Sequence, residues 1–536
     1  MLRPLHATLL AALFALAARP ALAADTLVVC TEASPDALNA ALSTANTSFD
    51  VSEQVADRLV EMQPGTANLR PALAESWDVS TDGLTVTFHL RHGVKWQSNK
   101  NFKPTREFNA DDVLFTFGRM QDEKNPWHAV GGGHYGMFDS LIGSALKGLR
   151  RIDDYTVAFD LKAPYAPLVP ALTMQSFAIS SAEYAASIDK AHGDRNAYDL
   201  DPIGTGPFQL VQYQKDSLIR FRPFHDFWGA KAQPDRVAKV GQLVFSITPD
   251  PSVRFARLKA NECQIARYPN PSDIPEMRKT PGVVVQEATI ASMGYLGFKV
   301  TQKPFDDVRV RQALAEAIDL DGLVKAVWQG TGTPTASLVS PVLLGYDPTL
   351  KVRAQNIEHA RKLLAEAGLA DGFSTDIWAI PVARAYMPNG RRAAEMIQAD
   401  WAKIGVKAKI VSFEWGEYLR RARTGEAPVA MLGGTWDYPD PSQQMMAFTC
   451  DSMTNGRNMP RWCNQEYSDL VARAGSLSNA EERAKLYRQA QEVMYREVPL
   501  VLFADSKAYV PVRSNVHGFK LHFLGGQPFG GVSLAK

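Results

Sequence analysis

The segment NGRRAAEMIQADWAKIGVKAKIVSF, residues 389–413, places a helix pattern directly before a strand pattern. We interpret 389–405 as a helix and 406–413 as a strand. The same alternation continues on both sides, with strands over 374–380 and 427–434, a short helix around 415–423, and helices over 306–318 and 356–369. Alternating helices and strands predict an α/β lobe with a largely parallel sheet.

Two loops follow strands of this predicted sheet. VARAYMPN begins at residue 382 and contains a cation, Arg384, and an aromatic, Tyr386. GGTWDYPDP begins at residue 433, and its candidate ligand-binding residues are Gly434, Thr435, Trp436 and Asp437. Ligands of open α/β sheets gather beyond the carboxyl ends of the strands. We call this edge of the sheet the rim. A fixed cation and an anion on one rim are suited to bind the two charges of a zwitterion.

The loop GGTWDYPDP allows several interpretations. Glycines and prolines keep the backbone out of regular helix and strand, so this is a shaped loop. An acid beside a large aromatic could belong to a catalytic site, a metal site, a ligand clamp or a turn around a buried tryptophan. Asp437 and Asp440 could form a carboxylate pair, but the intervening Tyr438-Pro439 favours a turn.

The first part of the chain is rich in strand and turn signals. Residues 76–90 alternate on both sides of a turn and predict a β-hairpin, and residues 150–161 repeat the pattern. A helix is predicted over 108–120, with Asn109 as its cap and two acids in its first turn. This region is therefore expected to differ in architecture from the α/β part.

The N-terminus has the pattern of an export signal. Residues 1–23 combine Arg3, an apolar run and an Ala-Leu-Ala end, so we predict a signal peptide cleaved after Ala23 and a periplasmic protein. Loss of Arg3 and Arg19 changes the formal net charge from +1 to −1. A balanced net charge lacks the excess of basic residues that is typical of nucleic-acid-binding proteins. The remaining length exceeds what one hydrophobic core usually supports and predicts two or three lobes.

Four cysteines in an exported chain suit two disulfides, for which three connectivities are possible. Cys450 and Cys463 are close enough in sequence to close a short loop, worth about 3 kcal/mol on the chain-entropy model.

Known catalytic motifs are missing from the sequence. The histidines form no HExxH pair, the cysteines no CxxC, and GxSxG is absent. The glycine groups at 204–208 and 330–334 match neither phosphate-binding fingerprint, and Ser187 with Lys190 forms only an isolated SxxK. We therefore predict a binding protein without catalytic residues, metal or cofactor. An exported hydrolase of small peptides and a chaperone-like binder of unfolded chains are the alternatives.

Six long stretches resemble the periplasmic solute-binding proteins that feed peptide ABC transporters. They are LRPALAESWDVSTDGLTVTFHLRHGVKW (69–96), FNADDVLFTF (108–117), DPIGTGPFQL (201–210), LVFSITPDPSVRFARLKANECQI (243–265), VRQALAEAID (310–319) and MIQADWAKIGVKAKIVSFEWGEYLRRA (396–422). The resemblance implies a two-lobed, type II-like Venus-flytrap fold with an extra inserted domain. We place lobe I at 24–61, 206–290 and 505–536, the strand-rich insert at 62–205, and the α/β lobe II at 291–504.

The resemblance also assigns roles. Asp437 matches the acid that meets a peptide ammonium, Arg384 the cation that meets its carboxylate, and Tyr386 part of the pocket wall. It implies the pairs Cys30–Cys263 and Cys450–Cys463. The implied partners are a short peptide and an inner-membrane ABC permease, and the implied state is a monomer.

One departure from the family pattern concerns the tryptophan. Close dipeptide binders have Gly-Trp two positions before Gly-Asp, whereas this chain has Gly433-Gly434 before Thr435-Trp436-Asp437. The side-chain pocket and the best ligand therefore stay open, with tripeptides, glutathione, haem and nickel complexes as alternatives to dipeptides.

Overall fold

The computed structural model describes residues 25–453, 458–522, 524 and 526–535. The predicted signal peptide, residues 1–23, lies outside the described residues. Within them, no helix combines the length and the apolar character needed to cross a membrane.

The largest sheet has eight strands. One strand, Gly332–Pro334, pairs with Ala504–Arg513 at the side of the main path. That path runs in the order Val283–Thr289, Ala504–Arg513, Ile265–Ala266, Thr26–Thr31, Gln242–Ile247, Leu218–Pro223 and Phe208–Gln214. Its helices are Asn46–Val55, Gly229–Ala232, Pro251–Lys259 and Ile274–Met277. Alternate residues such as Leu27 and Val29 are buried. They belong to an apolar core that packs on one face of this sheet.

A four-stranded antiparallel sheet forms a separate strand-rich unit. Its order is Ala74–Val79, Thr85–Leu90, Thr156–Leu161 and Leu146–Asp153, which confirms both predicted hairpins. Helices Ala110–Gln121, Gly136–Phe138, Leu168–Ala171, Ala182–Lys190 and Ala197–Leu200 accompany it. Asn109 caps the first of these helices, as the sequence predicts, and the structure adds a capping box with Asp112. A ribbon of Val60–Met62 and Leu69–Pro71 precedes the sheet.

The α/β part contains a five-stranded sheet in the order Lys407–Val411, Ser374–Trp378, Val429–Thr435, Ser292–Phe298 and Leu500–Leu502. The first three strands are parallel, as predicted. Ser292–Phe298 is antiparallel to both of its neighbours, so the sheet is mixed. Its helices are Val308–Ala317, Leu320–Trp328, Ile357–Glu366, Gly390–Ala402, Trp415–Thr424, Ser442–Met445, Gln465–Ser476 and Ala480–Glu497.

Two short segments cross between the large sheets. One joins Thr289 to Ser292, and the other joins Leu502 to Ala504. They run side by side, since Ile290 N–H donates to the Ser506 carbonyl and Phe503 N–H to the Gly294 carbonyl, each at 3.0 Å. The chain thus has a two-lobed α/β architecture with an additional strand-rich unit. The domain boundaries given above stay a prediction.

All four cysteines are paired. Cys30 bonds to Cys263 and Cys450 to Cys463, with Cα–Cα distances of 5.9 and 4.5 Å. Both predicted disulfides are therefore confirmed.

Candidate ligand-binding site

The predicted rim is formed by two neighbouring strand ends. Ser374–Trp378 and Val429–Thr435 are parallel, with Trp378 opposite Ala430. Their carboxyl ends lie at the same edge of the sheet, which places the loops that follow them side by side.

Arg384 lies at the start of a tight turn. The backbone groups of Arg384 and Met387 exchange two hydrogen bonds of 3.0 Å, which close the turn. The exposed guanidinium lies 5.0 Å from the ring centroid of Trp415. Within the described part of the chain, no carboxylate lies within the 4.0 Å ion-pair distance of Arg384. The turn therefore presents a cation that is supported by stacking and can pair with an external anion.

Tyr386, in the same turn, is buried against two glycines. Gly294 and Gly433 are opposite each other in adjacent strands. A β-carbon at Gly294 would overlap the Tyr386 carbonyl oxygen, and one at Gly433 would overlap the Tyr386 ring. Burial raises the pKa of Tyr386, and the nearby Arg384 opposes the increase. The glycine pair therefore sets how closely the turn approaches the sheet.

Asp437 is held by one glutamine. Its backbone N–H donates to Gln443 Oε1 at 2.8 Å, and Gln443 Nε2 donates back to the Asp437 carboxylate. Burial raises the pKa of Asp437, and the hydrogen bond from Gln443 opposes this. Among the described residues, no cation lies within ion-pair distance of the carboxylate. Asp437 is thus an oriented, half-buried acid without a charged protein partner.

Sequence reasoning missed Gln443. Pro439 and Pro441 turn the chain back after Asp437, and the short helix Ser442–Met445 then presents the glutamine amide to the acid. A polar residue just beyond a proline-bounded turn was the available signal. Spacing alone could not show that the amide oxygen of Gln443 meets the backbone of Asp437 while its amide nitrogen meets the side chain.

Trp436 is packed away from Tyr386. It is 2 % exposed and shares an apolar cluster with Met293 and Tyr295, whereas Tyr386 shares one with Leu296 and Phe298. Because alternate strand residues point to opposite faces, these clusters lie on opposite sides of the sheet. Met62 and Leu524, from the first and last parts of the chain, belong to the same apolar cluster as Trp436.

The remaining predicted loop residues contribute backbone and edge positions. Thr435 is exposed and lies opposite Ser292, and Gly434 lies beside the side chain of Gln444. Two buried polar atoms at this edge have no hydrogen-bond partner within the described ranges: Trp436 Nε1 and Ser292 Oγ. A bound polar group would satisfy them, since an unpaired buried donor is costly.

Asp440 has a different role from Asp437. Its carboxylate forms a buried ion pair with Arg483 at 2.7 Å and accepts from Ser442 N–H at 3.0 Å. Tyr438, between the two acids, packs into the core of the strand-rich unit. Asp440 therefore fixes the loop, in agreement with its interpretation as part of a turn.

Comparison with known proteins identifies the family. The family model of bacterial extracellular solute-binding proteins, family 5 (middle), matches residues 68–455. The chain belongs to this family. A dipeptide-binding protein of Escherichia coli (strain K12) is 47% identical over 514 residues, 95% of each chain.

Solved structures of relatives have the same fold as this solute-binding protein. HbpA2 from Haemophilus parasuis has a TM-score of 0.92 at 40% identity, covering 96% of this chain and 100% of that one. A dipeptide-binding protein from Pseudoalteromonas sp. SM9913, in complex with Met-Leu, has a TM-score of 0.75 at 33% identity, covering 95% and 100%.

The other chemical candidates in this solute-binding protein do not assemble with the site. Ser187 and Lys190 lie in the helix Ala182–Lys190, outside the rim. The described residues contain no group of three or more histidine, cysteine or acidic side chains arranged to hold a metal ion. What the rim offers is an anion, a cation and unpaired polar atoms, which suit recognition of a polar ligand.

Proposed function

We propose that the protein is the periplasmic substrate-binding component of an ABC importer. It captures dipeptides or other short peptides and delivers them, chemically unchanged, to an inner-membrane permease. The observation that carries the proposal is the pair Asp437 and Arg384. These opposite charges lie on neighbouring loops of one rim, and neither has an ion-pair partner among the described residues. The peptide ligands named for the E. coli and Pseudoalteromonas relatives support the same ligand class.

In this proposal the peptide termini are recognised by charge. The ligand ammonium donates to the Asp437 carboxylate, which Gln443 orients. The ligand carboxylate pairs with the Arg384 guanidinium, whose planar fork suits bidentate contact. Trp436 Nε1 supplies a further donor for a ligand carbonyl. The loop residues Gly434 and Thr435 complete the wall beside Trp436, and Tyr386, on the other face of the sheet, supports the turn that carries Arg384.

Ligand capture requires the two lobes to move. The crossing segments at 289–292 and 502–504 are short and adjacent, as a hinge requires. Closure around the peptide removes water from the charged contacts and strengthens them. The mature protein acts in the periplasm as a monomer and contacts the membrane only through its permease.

The identity of the natural ligand tests the proposal directly. The protein is purified, its ligand is released by denaturation, and the released compound is identified by mass spectrometry. Short peptides with both termini free are expected. Haem, glutathione or a nickel complex as the released ligand would contradict the peptide assignment.

Incubation with mixed dipeptides separates binding from hydrolysis. A binding protein returns the dipeptides intact, whereas free amino acids would favour the exported hydrolase. Affinity that is independent of free peptide termini would instead favour a binder of unfolded chains.

A further inference from the structure

Ser506 connects the hinge to the turn that carries Arg384. It lies in Ala504–Arg513, the strand that follows the second crossing segment, and is 1 % exposed. Its hydroxyl accepts a hydrogen bond from Trp328 Nε1 at 3.0 Å and donates to the Ala385 carbonyl at 2.8 Å. Ala385 is the residue between Arg384 and Tyr386.

We call the two hydrogen bonds from Trp328 to Ser506 and from Ser506 to Ala385 the relay. The direction of both bonds follows from the chemistry of the three groups. An indole N–H only donates, and a carbonyl oxygen only accepts. Ser506 Oγ must therefore accept from Trp328 and direct its single proton to Ala385. Removal of the hydroxyl would leave a buried indole donor and the turn carbonyl without these partners.

Trp328 is itself fixed against the same strand. Its ring occupies the space where a β-carbon of Gly332 would lie, and Gly332 is opposite Ser506 in the sheet. The indole N–H is thereby held towards Ser506. Packing as well as hydrogen bonding therefore holds Trp328 and Ser506 in place.

Ser506 also contacts the first crossing segment. Its carbonyl accepts from Ile290 N–H at 3.0 Å. Ser506 thus contacts the first crossing segment through Ile290, and it belongs to the strand that follows the second. Its hydroxyl links both segments to the turn closed by Arg384 and Met387. These hydrogen bonds form a continuous connection from the crossing segments to the turn.

We propose that Ser506 is a positioning residue that sets the orientation of Arg384 and ties it to lobe closure. The inference rests on the proposed role of Arg384 as the cation that binds the ligand carboxylate. It predicts that the Ser506 hydroxyl affects recognition of one ligand terminus and not of the other.

The test compares a dipeptide with a free carboxylate and its C-terminal amide. Ser506→Ala is expected to weaken binding of the free acid about three- to tenfold, the range for one hydrogen bond, and to change binding of the amide little. Ser506→Thr keeps the hydroxyl and is expected to restore the preference for the acid. Trp328→Phe removes the indole donor together with part of a buried ring, so it is judged by the ratio of acid to amide affinity, which is expected to shift in the same direction as in Ser506→Ala.

Ser412→Ala is the matched control. Ser412 Oγ donates to the Ala379 carbonyl at 3.1 Å, so it also supports the segment before the turn, but from a position outside the crossing strands. Its loss is expected to leave the ratio of acid to amide affinity unchanged. Thermal unfolding of each variant confirms that the affinities refer to folded protein.

A double-mutant cycle with Arg384→Gln decides the mechanism. If Ser506 acts through Arg384, Ser506→Ala has no further effect on acid binding in the Arg384→Gln background. Equal losses for acid and amide, or independent multiplying losses, would overturn this inference alone. If Arg384→Gln fails to distinguish acid from amide, the proposed charge clamp is wrong and this inference falls with it.

Discussion

The ring of Tyr386 lies against Gly433, in the space that a β-carbon of that residue would occupy. A β-carbon at Gly294, the partner of Gly433 in the neighbouring strand, would overlap the Tyr386 carbonyl oxygen. The Arg384 turn can therefore lie this close to the sheet because Gly294 and Gly433 have no side chains. The hydrogen bonds between Arg384 and Met387 then close the turn.

Gly433→Ala tests this packing. The added methyl would overlap both the Met293 carbonyl oxygen and the Tyr386 ring, and overpacking costs about 1 to 3 kcal/mol. We expect that loss in the free energy of unfolding by urea, together with weaker peptide binding. Gly475→Ala is the control, because a β-carbon there meets nothing within 4 Å and its helix gains up to about 1 kcal/mol. Equal stabilities of both variants would contradict the close packing at Gly433.

The buried pair of Asp440 and Arg483 is expected to stabilise the loop without selecting ligands. Asp440→Asn leaves Arg483 as an unpaired buried charge, a loss of about 3 to 5 kcal/mol in unfolding free energy. Glu466→Gln breaks the exposed pair with Arg496, for which less than about 1 kcal/mol is expected. Unfolding of each variant without ligand measures both losses in free energy. A smaller loss for Asp440→Asn than for Glu466→Gln would contradict the assigned role.

Much of the α/β lobe could be predicted because its signals are local. The helix predicted over 389–405 occurs as Gly390–Ala402, and the strand over 406–413 as Lys407–Val411. Helix caps, glycine stops and apolar spacing act within a few residues, so one sequence contains them.

Features that depend on tertiary pairing were not predicted. Strand Ser292–Phe298 escaped notice because Gly294 and Gly297 weaken its strand pattern, and the need for Gly294 arises only when Tyr386 packs on it. The separation of Tyr386 from Trp436 requires the register of three strands. The contacts of Ser506 join residues that are far apart in the chain.

Peptide binding is expected to depend on pH through Asp437. Burial raises the pKa of its carboxyl in the free protein, and only the ionised form attracts an ammonium. Affinity should therefore fall on acidification at a higher pH than an ordinary aspartate, with a pKa of about 3.9, would allow. Calorimetry on acidification from neutral pH is expected to show this loss for wild-type protein and a flat profile for Asp437→Asn. The same slope in both proteins would assign the titration to another group.

The raised pKa has a matching effect on stability. The folded state binds the proton of Asp437 more tightly than the unfolded state, so stability is lost as pH rises between the unfolded and the folded pKa. At neutral pH the unliganded Asp437→Asn protein should thus be at least as stable as wild type by thermal unfolding. A lower melting temperature would mean that the charge itself supports the fold.

The central claim is that Asp437 and Arg384 hold the two termini of a peptide. Calorimetric titration of wild-type and Asp437→Asn protein with one dipeptide, free and N-acetylated, tests it most directly. Asn keeps the size of the side chain and can still accept the hydrogen bond from Gln443. We predict a loss of about 2 to 5 kcal/mol for the free peptide and almost none for the acetylated one, whose ammonium is already absent. Equal losses for both ligands would contradict the clamp and leave Asp437 with a purely structural role in its loop.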